Sequence, residues 1–437
     1  MISLSRLHPL AQQLNAVLRE QHSPLFSLLS KRGKAIYFPF DGILGQTAEA
    51  KGKKYDATII GIALEDDGTP MRLRAIDACV DLPPGEVFSY APSFGKKELR
   101  EKWRQMILEK NPSLSAEISL PVVAGGITHA MSVVASALLD AGDELLLPDL
   151  YWGNYDLIFS HMYGATLRTF RTFNDGGFDT GALRSALRRG KGKKVLLLNF
   201  PNNPSGYTPT VEEAQCIVSI IRERADAGDT IAVLLDDAYF GLVYREGVFR
   251  ESLFSLLADL HERVLAVKID GASKEEYVWG LRIGFVTFAA KGMTPAVREA
   301  FEAKLAGTVR ATVSSASHLS QSLLLAAYAA ESYEREKQEK YAILKDRFEE
   351  VQRVLSDPKY ASVFTPLPFN SGYFLCVELR EGLNAEAIRR KLLSTFDTGV
   401  IALGNTFRIA YSSLPVSAIR PLFEHLFLAC SPSRTGQ

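Results

Sequence analysis

The 437-residue chain has only four cysteines, Cys79, Cys216, Cys376 and Cys430, and no C-x-x-C spacing. They support neither a disulfide framework nor a zinc site, and a reducing compartment is the simplest reading. Seven histidines are dispersed and none stands in H-E-x-x-H spacing, so metal catalysis has no support. Neither a G-x-G-x-x-G nor a P-loop lysine motif is present. Net charge is also lacking: 50 Lys plus Arg balance 50 Asp plus Glu, so nothing points to nucleic acid or an anionic membrane as a partner. No apolar run approaches the length of a membrane span. Met1 to Ser30 mixes leucines at irregular helical spacing with polar residues and lacks the unbroken apolar stretch of a signal peptide. The cytoplasm is the expected compartment. Internal repeats and low-complexity tracts are missing too.

What is present is an ordinary globular composition, 47% hydrophobic and 23% charged. The length suits one large domain with a smaller one. From about Leu120 to Ala289, short apolar runs alternate with amphipathic stretches. The runs are Glu144–Pro148, Val195–Phe200, Ile231–Leu235, Val264–Ile269 and Ile283–Phe288, rich in Val, Ile, Leu or Phe as strands buried on both faces are. Between them lie helical patterns at Thr128–Leu139, Thr180–Arg188, Val211–Ala227 and Leu253–His261. This alternation predicts an α/β fold with a mostly parallel sheet and helices on both sides, and ligands at the carboxyl ends of its strands. The basic cluster Arg188–Lys194 reads as a solvated loop. A long polar–apolar helical pattern runs from Leu319 to Leu355. A smaller α/β region follows, with strands at Tyr373–Leu379 and Thr406–Ala410 and helices at Asn384–Ser394 and Val416–Ala429. The expected division is residues 1–74 contributing to the small domain, 75–335 forming the large domain and 336–437 the small C-terminal domain.

Three short motifs close consecutive strands. Asn199-Phe200-Pro201-Asn202-Asn203-Pro204-Ser205-Gly206 follows the first, Asp236-Asp237-Ala238-Tyr239 the second and Ser273-Lys274 the third, with Arg282 eight residues further on. Singly each is weak: N-P-x-G is a common turn, D-x-x-Y could cap a helix, and a lysine after a strand is usually a surface lysine. In this order, at these strand ends, the set resembles the class I/II aminotransferase family of fold-type I enzymes that depend on pyridoxal 5′-phosphate (PLP). The resemblance runs from about residue 58 to residue 420 and leans toward the aspartate aminotransferase branch.

That resemblance implies a PLP-dependent transferase passing the amino group of an L-amino acid to a 2-oxo acid, with 2-oxoglutarate the expected acceptor, by a ping-pong route. Lys274 would hold the cofactor as a Schiff base and shuttle the proton, a task that suits a flexible amine. Asp236 would keep the pyridine nitrogen protonated through a charge-assisted hydrogen bond. Asn203 and Tyr239 match the pair that donates to the 3′-oxygen. Arg282 matches the phosphate arginine. Gly125-Gly126-Ile127-Thr128 opens a helix whose free N–H groups would bind an anion, with the Thr128 hydroxyl beside them. Trp152, in Tyr151-Trp152-Gly153-Asn154, matches a tryptophan stacking on the ring; a buried structural Trp is the bland alternative.

For substrate, Arg408 stands where the family keeps an arginine for the α-carboxylate. Gly61, in Ile60-Gly61-Ile62-Ala63, looks like the segment that closes over substrate. Tyr90, in Tyr90-Ala91-Pro92-Ser93-Phe94-Gly95, matches a tyrosine that reaches the partner subunit's phosphate, which implies a homodimer with shared sites. Arg310 corresponds to an arginine that crosses the interface toward a distal carboxylate; a surface arginine is the equal alternative. Departures stand beside these matches. Gly271 replaces a Ser or Thr used for the phosphate, and whether Ser273 substitutes is open. Tyr155 sits where the aspartate branch carries a histidine next to the cofactor aspartate. Ser315, Ala316 and Ser317 replace an asparagine and two prolines. A PLP lyase, decarboxylase or synthase of the same fold is the alternative enzyme, and a PLP-binding transcriptional regulator the alternative outside enzymes. The donor, the pathway and the direction of flux stay open.

Overall fold

The apolar runs become strands because their side chains are buried on both faces, as Val195–Leu198 are without exception. In a computed structural model of the chain, which describes residues 7–21, 23–38, 42–59, 61–77 and 81–431, seven strands form the main sheet. Ile60 and Cys79 lie outside the described residues. The strands are β1 (Val122–Ala124), β2 (Glu144–Pro148), β3 (Thr166–Phe170), β4 (Lys193–Asn199), β5 (Thr230–Asp236), β6 (Val264–Asp270) and β7 (Gly284–Ala289). Their order is β1-β7-β6-β5-β4-β2-β3. Neighbours from β6 through to β3 pair in parallel, and β7 alone runs against both its neighbours. The sheet is therefore mixed and mostly parallel, with helices packed on it.

Register places the chemistry. Asn199 pairs with Asp236 across β4 and β5, and Asp236 with Ile269 across β5 and β6. Three strands thus end level, and Lys274 follows β6 on the short helix Ala272–Glu275. The helix Val211–Asp226, which crosses from β4 to β5, starts on a reciprocal cap between Thr210 and Glu213.

A second, antiparallel sheet is built from β8 (Phe364–Pro366), β9 (Leu375–Leu379), β10 (Ile401–Leu403) and β11 (Thr406–Ile409), in the order β8-β9-β11-β10. Tyr55–Asp56 pairs in parallel with Thr398–Gly399, and Gln46 exchanges two hydrogen bonds with the main chain of Ala402, so the N-terminal segment is stitched to this smaller region.

Two helical expectations need correction. The pattern from Leu319 to Leu355 is two helices, His318–Tyr328 and Tyr333–Leu355. At the corner, Tyr328 and Tyr333 pack edge to face at 5.2 Å, and Tyr333 turns inward to donate to Glu276. The alanines at the break favour helix, so periodicity ran straight through it. In Leu253–His261 only Phe254–Leu257 is helical. Leu253, Phe254, Leu257 and Leu260 are buried, so the apolar spacing there reflects contact with the sheet, not a continuous helix. Among the described residues no helix is long and apolar enough to cross a membrane.

Candidate active site

Beyond the level ends of β4, β5 and β6 lies a cavity of about 260 Å³. Its wall holds Asn203, Asp236, Tyr239, Ser273, Lys274 and Arg282, together with Ile127 and Thr128 from the start of the helix Ile127–Leu138. Gly61, Trp152 and Arg408 close it from the other side. Larger surface hollows elsewhere are shallow and lack this set of polar groups.

Asp236 is the cavity's one acid. It is buried, accepts a hydrogen bond from the Ala238 N–H at 3.1 Å, and accepts another from the Tyr155 hydroxyl. Burial pushes its carboxyl up to about 6, against the pull of the Tyr155 hydroxyl, the Lys274 charge and the Ala238 amide. Asn199 fixes the backbone around it: its Nδ2 donates to the Asp236 carbonyl at 2.8 Å and its Oδ1 accepts the Asn203 N–H at 2.7 Å.

Lys274 stands half-buried in the cavity wall, and its amine makes no hydrogen bond or ion pair among the described residues. Burial brings it down to about 8, with Arg282 adding to the effect and Asp236 opposing it. Its main chain is held by Tyr373, whose hydroxyl donates to the Lys274 carbonyl at 3.0 Å. The rival amine, Lys268, is fully buried inside β6 and is paired with Asp237 and, at 3.3 Å, with Asp270. It is a structural ion pair beneath the site.

Glycines let the Arg282 end of the cavity close up. A Cβ on Gly126 would stand 2.5 Å from Nη2 of Arg282, so the end of the guanidinium packs directly against that glycine, whose φ of +87° also suits only glycine well. A Cβ on Gly271 would meet the Ile283 carbonyl at 2.6 Å, which leaves no room there for a Ser or Thr. The hydroxyls that remain at this end are Thr128 and Ser273. No side chain caps the helix Ile127–Leu138, so its first N–H groups are open to an anion.

Arg408, on β11, is 1% exposed. One nitrogen donates to the Thr58 carbonyl at 3.3 Å, Nε has no partner, and the guanidinium lies 4.5 Å from the Phe374 ring centre. Among the described residues no carboxylate comes within salt-bridge reach. Gly61 covers the opposite wall, where a Cβ would touch the Tyr239 hydroxyl at 3.4 Å.

Three expected residues do not line this cavity: Gly126 backs the Arg282 side chain, and two lie well away. Tyr90 is 90% exposed, and Arg310 is exposed near the end of the helix Pro295–Val313. Their segments are tied together on one surface by Ser93 donating to the Ser314 carbonyl at 2.8 Å. The site also contains residues not expected from sequence, Asn199, Ile62, Ala238 and Trp279, while Tyr155, noted as a departure beside the cofactor aspartate, does stand behind Asp236. Asn199 was visible in the motif; the others carry no local signal of their own.

The family described as aminotransferase class I and II matches residues 62–426. A probable aspartate/prephenate aminotransferase of Aquifex aeolicus is 27% identical over 246 residues, 56% of this chain and 59% of that protein. An aspartate aminotransferase of Bacillus sp. (strain YM-2) is 27% identical over 249 residues, again 56% and 59%. The match thus spans about 59% of the length of these relatives. Among solved structures, an aminotransferase from Anaerococcus prevotii is similar with a TM-score of 0.81 at 24% identity, covering 93% of this chain and all of that one. The Thermus thermophilus aspartate aminotransferase with maleate gives 0.71 at 19% identity, covering 92% and 99%. At these identities the structures speak for the fold.

Proposed function

The chain belongs to the class I and II aminotransferases, and from that premise we propose that it is a PLP-dependent aminotransferase that moves the amino group of an L-amino acid to a 2-oxo acid, with 2-oxoglutarate as acceptor. The observation that carries this reading is a charge imbalance: Lys274, Arg282 and Arg408 line one cavity, none of them in an ion pair among the described residues, against Asp236 as its sole acid. Arg408 is buried without a counter-charge, which is costly, and the more exposed Arg282 adds a second free cation, so the cavity suits a ligand with two separate anionic groups. A phosphate and an α-carboxylate meet that description.

The residues fit PLP. Arg282, the open start of the helix Ile127–Leu138, Thr128 and Ser273 would hold its phosphate, Asn203 and Tyr239 its 3′-oxygen, and Trp152 one face of its ring. When bound, PLP supplies an aldehyde that condenses with amines and a ring that accepts the electron pair left when Cα loses its proton. The chain does the rest. Arg408 fixes the substrate carboxylate with a planar fork and so aims the Cα–H bond. Lys274, lowered to about 8 by burial, is neutral often enough near neutral pH to take that proton and return it at the neighbouring carbon. Asp236 keeps a proton on the ring nitrogen. Gly61 and its segment exclude water from above.

A homodimer with shared sites is part of the proposal. The exposed Phe88, Tyr90 and Val313 and the tied segments of Tyr90 and Arg310 make one apolar-and-basic surface suited to a second copy. The test is spectroscopic. Purified protein loaded with PLP is mixed with each amino acid, and conversion of the cofactor's visible band to its amine form identifies the donors; 2-oxoglutarate should restore the band. Borohydride reduction and peptide mapping should label Lys274. A label on another lysine, or no conversion with any amino acid, overturns the reading.

A further inference from the structure

Asp236 does not stand alone. Behind it, away from the cavity, the hydroxyl of the fully buried Tyr155 donates to Oδ2, while Oδ1 takes the Ala238 N–H. The Tyr155 ring cannot swing. It lies parallel to Tyr151 at 6.2 Å, edge-on to Trp152 at 5.6 Å and edge-on to Phe159 at 5.8 Å. Its backbone is fixed as well, with its N–H on the Trp152 carbonyl at 2.9 Å at the entry to a wide π-type turn, Asp156–Met162.

We propose that Tyr155 is a positioning residue that locks Asp236 as a permanent hydrogen-bond acceptor, so that the proton shared between this carboxylate and a ring nitrogen stays on the ring. The proposal rests on the reading of Asp236 given above. Both carboxylate oxygens face donors, so a protonated Asp236 would have nowhere inside the protein to send its own proton. A tyrosine is suited to this because it does not change role. Burial and the neighbouring Asp236 charge push its phenol well above the usual range, so it remains a donor at any working pH. An imidazole in its place could instead titrate. The other groups facing Asp236 are Lys274, which favours its charge, and Asp237, which opposes it; Tyr239 also faces Tyr155.

The test uses the whole protein with and without cofactor. In the apoprotein, the ionisation of Asp236 is followed by infrared difference spectroscopy as pH is varied. Tyr155→Phe, which keeps the ring packing, should raise the midpoint by roughly one to two pH units, the size of a lost charge-assisted hydrogen bond. Incorporation of 3-fluorotyrosine at 155, a stronger donor of nearly the same shape, should lower it and so guards against a folding defect in the first variant. In the loaded enzyme, Tyr155→Phe should reduce kcat about 10- to 100-fold with little change in KM, and Tyr155→His should recover part of the loss. An unchanged apoprotein midpoint with unchanged kcat leaves Tyr155 a packing residue and overturns the proposal. Asp236→Asn separates the two levels: if that variant turns over normally, the reading of Asp236 itself fails, whatever Tyr155 does.

Discussion

Arg408→Met should make the protein a poorer enzyme without making it a weaker fold. The guanidinium is fully buried, carries no counter-charge, and leaves Nε unpartnered. Taking such an ion out of water costs several kcal/mol, while its hydrogen bond to the Thr58 carbonyl and its place over Phe374 return about 1–2 kcal/mol each. Methionine fills much of the same volume with no charge to desolvate. The apoprotein should therefore hold its thermal midpoint or gain up to about 2 kcal/mol. Substrate handling should move the other way. Losing a forked, desolvated contact to a carboxylate costs about 3 kcal/mol, about 10²-fold in kcat/KM. Arg408→Lys keeps the charge but not the fork and should fall between. Scanning fluorimetry of the apoprotein and steady-state kinetics of the loaded enzyme measure the two effects. A midpoint lower by many degrees with kcat/KM intact would make Arg408 a structural residue and refute the reasoning.

The Lys274 amine, brought to about 8, makes two pH predictions with one sign. The unfolded chain holds that proton more tightly than the folded one, so apoprotein stability should rise between about pH 8 and the ordinary lysine value of about 10.4, and the rate of covalent PLP capture should rise with a midpoint near 8; stopped-flow capture with a midpoint above 10 would contradict it. Mixing Tyr90→Phe and Lys274→Ala subunits should yield some heterodimers with one unimpaired site and recover activity that neither variant has, whereas an active monomer in sedimentation rules the shared site out. Arg310→Ala should lower kcat/KM for aspartate, glutamate and 2-oxoglutarate while sparing apolar donors; unchanged efficiency for all three removes Arg310 from substrate reading.

The strands and the three motifs were legible because both depend on local rules. Burial on two faces writes a continuous apolar run, and the turn after each parallel strand must carry the ligand groups. Lys268 lies within the sheet on β6, where it pairs with Asp237 and is no rival to the lysine beyond the strand end. What was not legible depends on distance along the chain. Tyr155 is 81 residues from Asp236, and its contact follows from how the π-type turn after Trp152 aims the ring. Sequence showed it only as a departure from a family pattern. The break between Tyr328 and Tyr333 was hidden because its cause, the inward turn of Tyr333 toward Glu276, is tertiary. Tyr90 and Arg310 stay on the surface of a single chain, and their proposed tasks need a second copy.

The same cation count that supports two anionic anchors also limits what this chain can do with a third. If the phosphate takes Arg282 and the α-carboxylate takes Arg408, the remaining amine, Lys274, must stay free to move a proton. The rest of the cavity wall near Trp152 and Trp279 is aromatic, with Ile62 and Ala238 adding apolar surface. The chain's own walls therefore favour the stem of an apolar or aromatic side chain, and they supply no cation for a distal carboxylate. A dicarboxylate such as 2-oxoglutarate would need positive charge delivered from outside the subunit, and Arg310 lies on the surface that also carries Tyr90. On the proposed dimer, donor choice would then be a property of the assembled pair. The range of donors accepted should shift when the contact between copies is altered, even where every residue lining the cavity is left unchanged.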